Sequence, residues 1–224
     1  MKTFPMFLSM TGRRVVIVGG GEQATQKCRL LLKTEARIEV FAQDLDVELS
    51  VLHSKKEIDW STKAISSEIF KDTVLVFVAT GCPGLDSAIH DLAKQAGAVV
   101  NVVDQPHLCD AMTPSIVDRD PVVVAIGTEG TAPVLARQIK TRVEEFLEPN
   151  LGELAALAGR FRSFAAQRLA PKARRDLWRW VFNGPVRAAH SKSGVGVAAR
   201  LIKTAISTGA FEDAAPCPLA FVHV

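Results

Sequence analysis

Along the first hundred residues the apolar positions fall into short runs separated by stretches of helical spacing. Residues 15–18, "VVIV", form an unbroken β-branched run, the pattern of a strand buried on both faces. Residues 22–33 switch to helical spacing, and 38–41 return to a strand. The alternation continues through "TVLVFVAT" (73–80), a helical "GLDSAIHDLAKQAG" (84–97) and "AVVNVVD" (98–104). Strands joined by helical crossovers predict an α/β fold: a Rossmann-like, doubly wound, mostly parallel sheet.

After Asp104 the rhythm changes. "PSIVDRDPVVVAIGT" predicts two strands around a turn at 118–121, where Pro121 lacks a ladder donor. "TAPVLARQIKTRVEEFL" predicts a helix with Thr131 as N-cap, Pro133 in the first turn, and an apolar face of Val134, Leu135, Ile139, Val143 and Leu147. From Asn150 onward the pattern is helical, broken by "HSKSGVGVAAR". The expected division is 1–113 for the Rossmann domain, 114–149 for a small hairpin-and-helix segment, and 150–215 for a helical region.

Composition narrows the class. A chain of 224 residues with 48% hydrophobic positions can supply a substantial core. Its apolar runs fall far short of the roughly 20 residues that span a bilayer, and the N-terminal "MKTFPMFLSMTGRR" is a poor signal peptide. A soluble, cytoplasmic protein with no membrane partner is therefore expected. Cys28, Cys82, Cys109 and Cys217 show no CxxC and no close pairing, so they read as reduced packing thiols. The net charge of +3 is uneven: residues 1–113 carry 12 Lys+Arg against 14 Asp+Glu, and 114–224 carry 15 against 10. The excess peaks over 160–187, where eight basic residues face only Asp176. A solvated helix face and a polyanion site both suit that segment. Nucleic acid is the weaker partner, because Trp178 and Trp180 are its only tryptophans and suit helix packing.

The first strand runs into "GGGEQA", in which Gly19, Gly21 and Ala24 fit G-x-G-x-x-A. The first glycine allows the tight turn, the second lets the backbone approach a pyrophosphate, and Ala24 lets helix and strand pack closely. The free N–H groups and positive dipole end of the following helix favour the anion. The second strand lacks the usual terminal acid and exits through Phe41-Ala42-Gln43, so Gln43 or Asp44 is left to meet the ribose. No arginine follows directly to meet a 2′-phosphate, which favours NAD. Thr80, at the end of the 73–80 strand, and Asn101, in the next, are candidates to line the same cleft. That next strand ends on Asp104. "GTEGTAPVLAR" sets Thr128 and Thr131 before a helix start with Arg137 inside it, an anion-friendly rim.

In order and spacing, "VVIVGGGEQATQKCRLLLKTEARIEVFA", "FVAT", "NVVDQPHLCDAMTPSIVDRDPVVVAIGTEGTAPVLARQIKTRVEEFL" and "LGELAALAGRFR" resemble the dehydrogenase/ferrochelatase module of siroheme synthase, over roughly residues 4–165. The resemblance implies NAD-dependent oxidation of precorrin-2 to sirohydrochlorin, then insertion of ferrous iron as a substrate to give siroheme. It implies a homodimer with intertwined central segments, which makes 114–149 the dimerisation segment. By matching position, Asp104 is the catalytic acid/base, and Glu22, Gln23, Gln43 and Asp44 stand where the family contacts NAD. The eight carboxylates of precorrin-2 give Thr128, Thr131, Arg137 and the 160–187 segment a use as substrate contacts. No resident metal site is expected. His107 and Cys109 can assist iron delivery, although surface-loop and packing roles suit them better. The ending "CPLAFVHV" reads as the start of a methyltransferase domain at 216–224, as in fused siroheme synthases. The alternative to the enzyme is a non-catalytic NAD-binding regulatory module, which leaves Asp104 unemployed.

Overall fold

The computed structural model describes residues 1–211, so the expected domain start at 216–224 and Cys217 lie outside the described residues. The described residues form two compact units, one of residues 1–114 with 127–133 and one of 115–126 with 134–211.

The first unit is built on β1 (Arg14–Val18), α1 (Glu22–Leu31), β2 (Arg37–Phe41), α2 (Val47–Ser54), β3 (Asp59–Ser61), β4 (Thr73–Val78), α3 (Pro83–Gln95) and β5 (Val99–Val102). The strands form one parallel sheet in the order β3-β2-β1-β4-β5, with β1 in register Val15↔Ile38 through Val18↔Phe41 against β2. Period-2 alternation explains why "VVIV" is apolar throughout. Val15 and Ile17 pack with Ala24, Cys28 and Leu31 of α1 on one face. Val16 and Val18 pack with Ile89 and Ala93 of α3 and with Phe70 on the other. Two elements, β3 and α2, lie in a stretch whose pattern announced neither.

The second unit opens with β6 (Ser115–Arg119) and β7 (Val122–Ile126), an antiparallel hairpin. Arg119 pairs with Val122, so the turn is the two residues Asp120-Pro121, tighter than the 118–121 turn expected. Helices follow: α4 (Pro133–Phe146), α5 (Leu151–Arg168), α6 (Pro171–Asn183), α7 (Pro185–Ser193) and α8 (Val195–Thr208). Leu154, Leu157 and Ala158 of α5 close a core with Leu177 and Val181 of α6, Val186 of α7 and Ile202 and Ile206 of α8. Gly194 (φ 79°) separates α7 from α8 within the stretch expected to break the helix, and Gly209 (φ 69°) ends α8 in the left-handed region glycine adopts freely.

One expectation for α4 changes. It begins at Pro133, so Thr131 lies outside it; the Thr131 hydroxyl donates instead to the Thr128 carbonyl at 2.6 Å, closing a loop turn. Of its apolar face, Val134 (61%) and Leu135 (49%) stay exposed, while Ile139, Val143 and Leu147 are partly buried.

Candidate active site

The C-terminal ends of the parallel strands carry a cleft of about 590 Å³, lined by Gly19, Gly20, Gly21, Gln43, Asp44 and Thr80 among others. Ligands of open α/β sheets bind at this edge. Three consecutive glycines turn the chain from β1 into α1, each for its own reason. Gly19 sits at φ +127°, and a Cβ there would lie 2.2 Å from the Ala79 carbonyl oxygen. A Cβ on Gly20 would meet the Asp44 carbonyl oxygen at 1.9 Å. Gly21 has open space where its Cβ would stand and caps α1 without a side-chain hydrogen bond. A backbone packed tightly behind, open in front, and ending on uncapped helical N–H groups suits a dinucleotide pyrophosphate.

The loop is buttressed from β2. The Asp46 amide donates to the Gly20 carbonyl at 2.8 Å, and the Asp46 carboxylate accepts from the Leu49 amide at 2.8 Å and from the Thr25 hydroxyl. Burial by itself would raise the Asp46 pKa, but the Leu49 and Thr25 hydrogen bonds and nearby Arg29 outweigh it and hold the carboxyl below its ordinary value. Thus Asp46 ties the glycine loop, α1 and α2 together. On the β4 side, buried Asp86 accepts from the Thr80 hydroxyl at 2.6 Å and fixes the rim.

Asp104 follows β5 in a turn, in the left-handed region at φ 61°, which aspartate tolerates better than most residues. Its carboxylate accepts a 2.7 Å hydrogen bond from Gln23 Nε2 in the first turn of α1. Cys109 holds the turn from inside: its sulfur accepts from the Val102 amide at 3.2 Å and stands 3.2 Å from the Val102 carbonyl and 3.4 Å from that of Gln105. Burial pushes the Cys109 thiol up, so it acts as a packing group.

One helical turn after Gln23, half-buried Lys27 places Nζ 5.5 Å from the Phe77 ring centroid and 3.4 Å from Thr113 Oγ1. Burial lowers its ammonium pKa, against the opposing pull of Cys109 and Asp104.

The remaining candidates separate. Gln43 and Asp44 line the cleft. Glu22 instead runs along its helix, accepting from Gln26 at 3.1 Å. Asn101 turns away to the 109–111 loop, donating to the Ala111 carbonyl at 2.8 Å, and is not among the cleft-lining residues. Thr128 and Thr131 bond to each other in the 127–133 loop, and Arg137 is exposed on α4 in the second unit. Sequence reasoning passed over Gly20, Asp46, Lys27 and Asp86. Asp46, three residues before Leu49 at a helix start, carried a legible N-cap signal. Among the described residues no three His, Cys, Asp or Glu side chains cluster to hold a metal.

Fold and site define a Rossmann-type dinucleotide-binding domain joined to a helical domain. Residues 6–115 match the NAD(P)-binding family model NAD_binding_7, and 150–206 match the model described as the sirohaem synthase dimerisation region. The siroheme synthase of Neisseria meningitidis serogroup C is 38% identical over 185 residues, covering 82% of this chain and 38% of that protein. That of Pseudomonas putida is 39% identical over 212 residues, covering 94% and 45%. The chain belongs to the siroheme synthase family. It spans about two-fifths of the length of the curated relatives it matches. A solved structure titled "SirC, precorrin-2 dehydrogenase" shares the fold, with a TM-score of 0.70 at 20% identity, covering 92% of this chain and 100% of that one.

Proposed function

We propose that this chain oxidises precorrin-2 to sirohydrochlorin with NAD and then inserts ferrous iron, a substrate, to give siroheme. The observation that carries the reading is the hydrogen bond from Gln23 to Asp104, which joins the glycine-loop helix to the carboxylate beyond β5. Oxidation removes a hydride and a proton from the tetrapyrrole. NAD, when bound, supplies the hydride acceptor. Asp104 takes the proton on its carboxylate, and the Gln23 amide holds that group in place. The glycine backbone and first-turn amides of α1 would hold the pyrophosphate, with Gln43 and Asp44 at the ribose.

For iron insertion the same carboxylate removes pyrrole N–H protons and releases them to solvent, which its exposure permits. A permanent ligand cage would hinder release of the product. Leaving Asp104 without a role is the weakness of the regulatory-module alternative. Thr128, Thr131 and Arg137 remain proposed contacts for substrate carboxylates. The reading includes a cytoplasmic homodimer. A dimerisation-region match and the exposed Val134, Leu135 and Phe146 support the second copy, and free Cys28, Cys82 and Cys109 suit a reducing compartment.

The test supplies purified protein with precorrin-2 and NAD and follows the near-ultraviolet absorbance of NADH. Asp104→Asn should lower turnover by about 10²–10⁴-fold while NADH affinity stays within about twofold. Wild-type turnover in that variant would remove Asp104 from the mechanism.

A further inference from the structure

The helical unit carries a second cleft, of about 490 Å³, lined by Arg162, Ser163 and Ala166 of α5 and Pro171, Arg174, Arg175 and Trp178 of α6. The α6 contributors fall at i, i+3, i+4 and i+7, one continuous stripe of that helix. Its neighbouring stripe, Leu177 and Val181, is buried in the core. The cleft stripe is thus built of guanidinium groups and an indole on the flank of a well-packed helix.

These charges are not neutralised by the described residues of the unit. Asp176, the one acid of the 160–187 stretch, pairs with Arg179 at 3.2 Å. The side chains of Arg162, Arg174 and Arg175 take part in no ion pair or hydrogen bond among the described residues. Arg174 Nε is buried without an acceptor among them. A buried donor left unpaired is costly, and three like charges around one cleft repel one another. Both costs are relieved by an anion with several acceptor groups. Guanidinium forks match carboxylates in bidentate geometry, and the Trp178 face offers a flat apolar surface for an aromatic ring.

We propose that the α5–α6 cleft is a second ligand site, which takes a flat aromatic polycarboxylate. The ligand class rests on the tetrapyrrole reading above. The forks stand on two helices around the indole, an arrangement suited to carboxylates spread over a ring system.

The experiment titrates the full chain with uroporphyrin, a stable tetrapyrrole octacarboxylate, by calorimetry, and compares the Arg162→Ala/Arg175→Ala variant. Both residues are exposed, so the fold should survive, with the thermal midpoint as the check. The wild type should show a salt-sensitive site that weakens by about tenfold or more in the variant, roughly one charge-assisted pair lost. Arg175→Lys, which keeps the charge and loses the fork, should fall between them. Unchanged uroporphyrin binding in the double variant would overturn the proposal. So would binding of ATP at the cleft in place of uroporphyrin, which would make the ligand a nucleotide. Loss of dimerisation with porphyrin binding intact would make the cleft an interface between copies, and would overturn it too. Failure of the wild type to oxidise precorrin-2, with cleft-dependent uroporphyrin binding retained, would sink the functional reading and leave the site standing.

Discussion

Gly20 and Gly21 are adjacent and chemically identical, yet substitution should separate them. Alanine at Gly20 drives a methyl group into the Asp44 carbonyl, so the loop must shift. We expect a loss of on the order of 3 kcal/mol and a thermal midpoint lower by about 10 °C. Alanine at Gly21 meets open space at an ordinary extended backbone, so calorimetric stability should hold. Its methyl group would instead stand where the pyrophosphate approaches, and NADH affinity measured by fluorescence titration should fall about tenfold. Equal stability loss in both variants would contradict the assigned roles. The thiols differ in the same local way. Burial pushes the Cys28 thiol up to about 11, whereas Cys82 is exposed. Native alkylation at pH about 8, read by mass spectrometry, should label Cys82 and spare Cys28.

At the scale of the element, α2 depends on its cap. Asp46→Ala removes the acceptor of the Leu49 amide and strips fully buried Thr25 of a partner, which should cost about 1–2 kcal/mol at neutral pH. Because the folded-state pKa of Asp46 is lowered, its contribution is complete above the ordinary carboxyl value of about 4 and is lost as pH falls through the folded value. The gap in urea midpoint between wild type and Asp46→Ala should therefore close on acidification. A gap constant from pH about 3 to 7 would refute the linkage. The elements differ in how plainly the chain announces them. β1, β2, β4 and β5 are apolar because helices cover both sheet faces, so composition alone marked them. β3 is three residues at a sheet edge, "DWS", with no alternation to detect. The "VVIVGGGEQA" loop and Asp104 were legible as candidates for a site. Their meeting was not, since Gln23 and Asp104 lie 81 residues apart and only the crossover topology joins them.

At the scale of the whole molecule, the second unit exposes the apolar side chains of Val134, Leu135 and Phe146. Its apolar face on α4 was legible as a stripe, but its destination was not, because none of the described residues buries Val134 and Leu135. If a second copy covers them, Val134→Glu/Leu135→Glu should shift sedimentation equilibrium from dimer toward monomer, raising the dissociation constant by about 100-fold or more. An unchanged dimer would place the interface elsewhere. The hairpin is pinned to the helices near Gly152, where a Cβ would stand 1.8 Å from the Arg119 carbonyl oxygen. Gly152→Ala should therefore destabilise the second unit by about 3 kcal/mol, seen as a lower thermal midpoint.

The bond between Gln23 and Asp104 also has a thermodynamic consequence. On the proposed function, a ligand that settles on the first turn of α1 would stiffen the residue that holds the carboxylate, so the two binding equilibria would share a free-energy term. On the proposed function such coupling is reciprocal: the factor by which NAD would tighten the tetrapyrrole must equal the factor by which the tetrapyrrole would tighten NAD. Gln23→Ala should bring that common factor toward one.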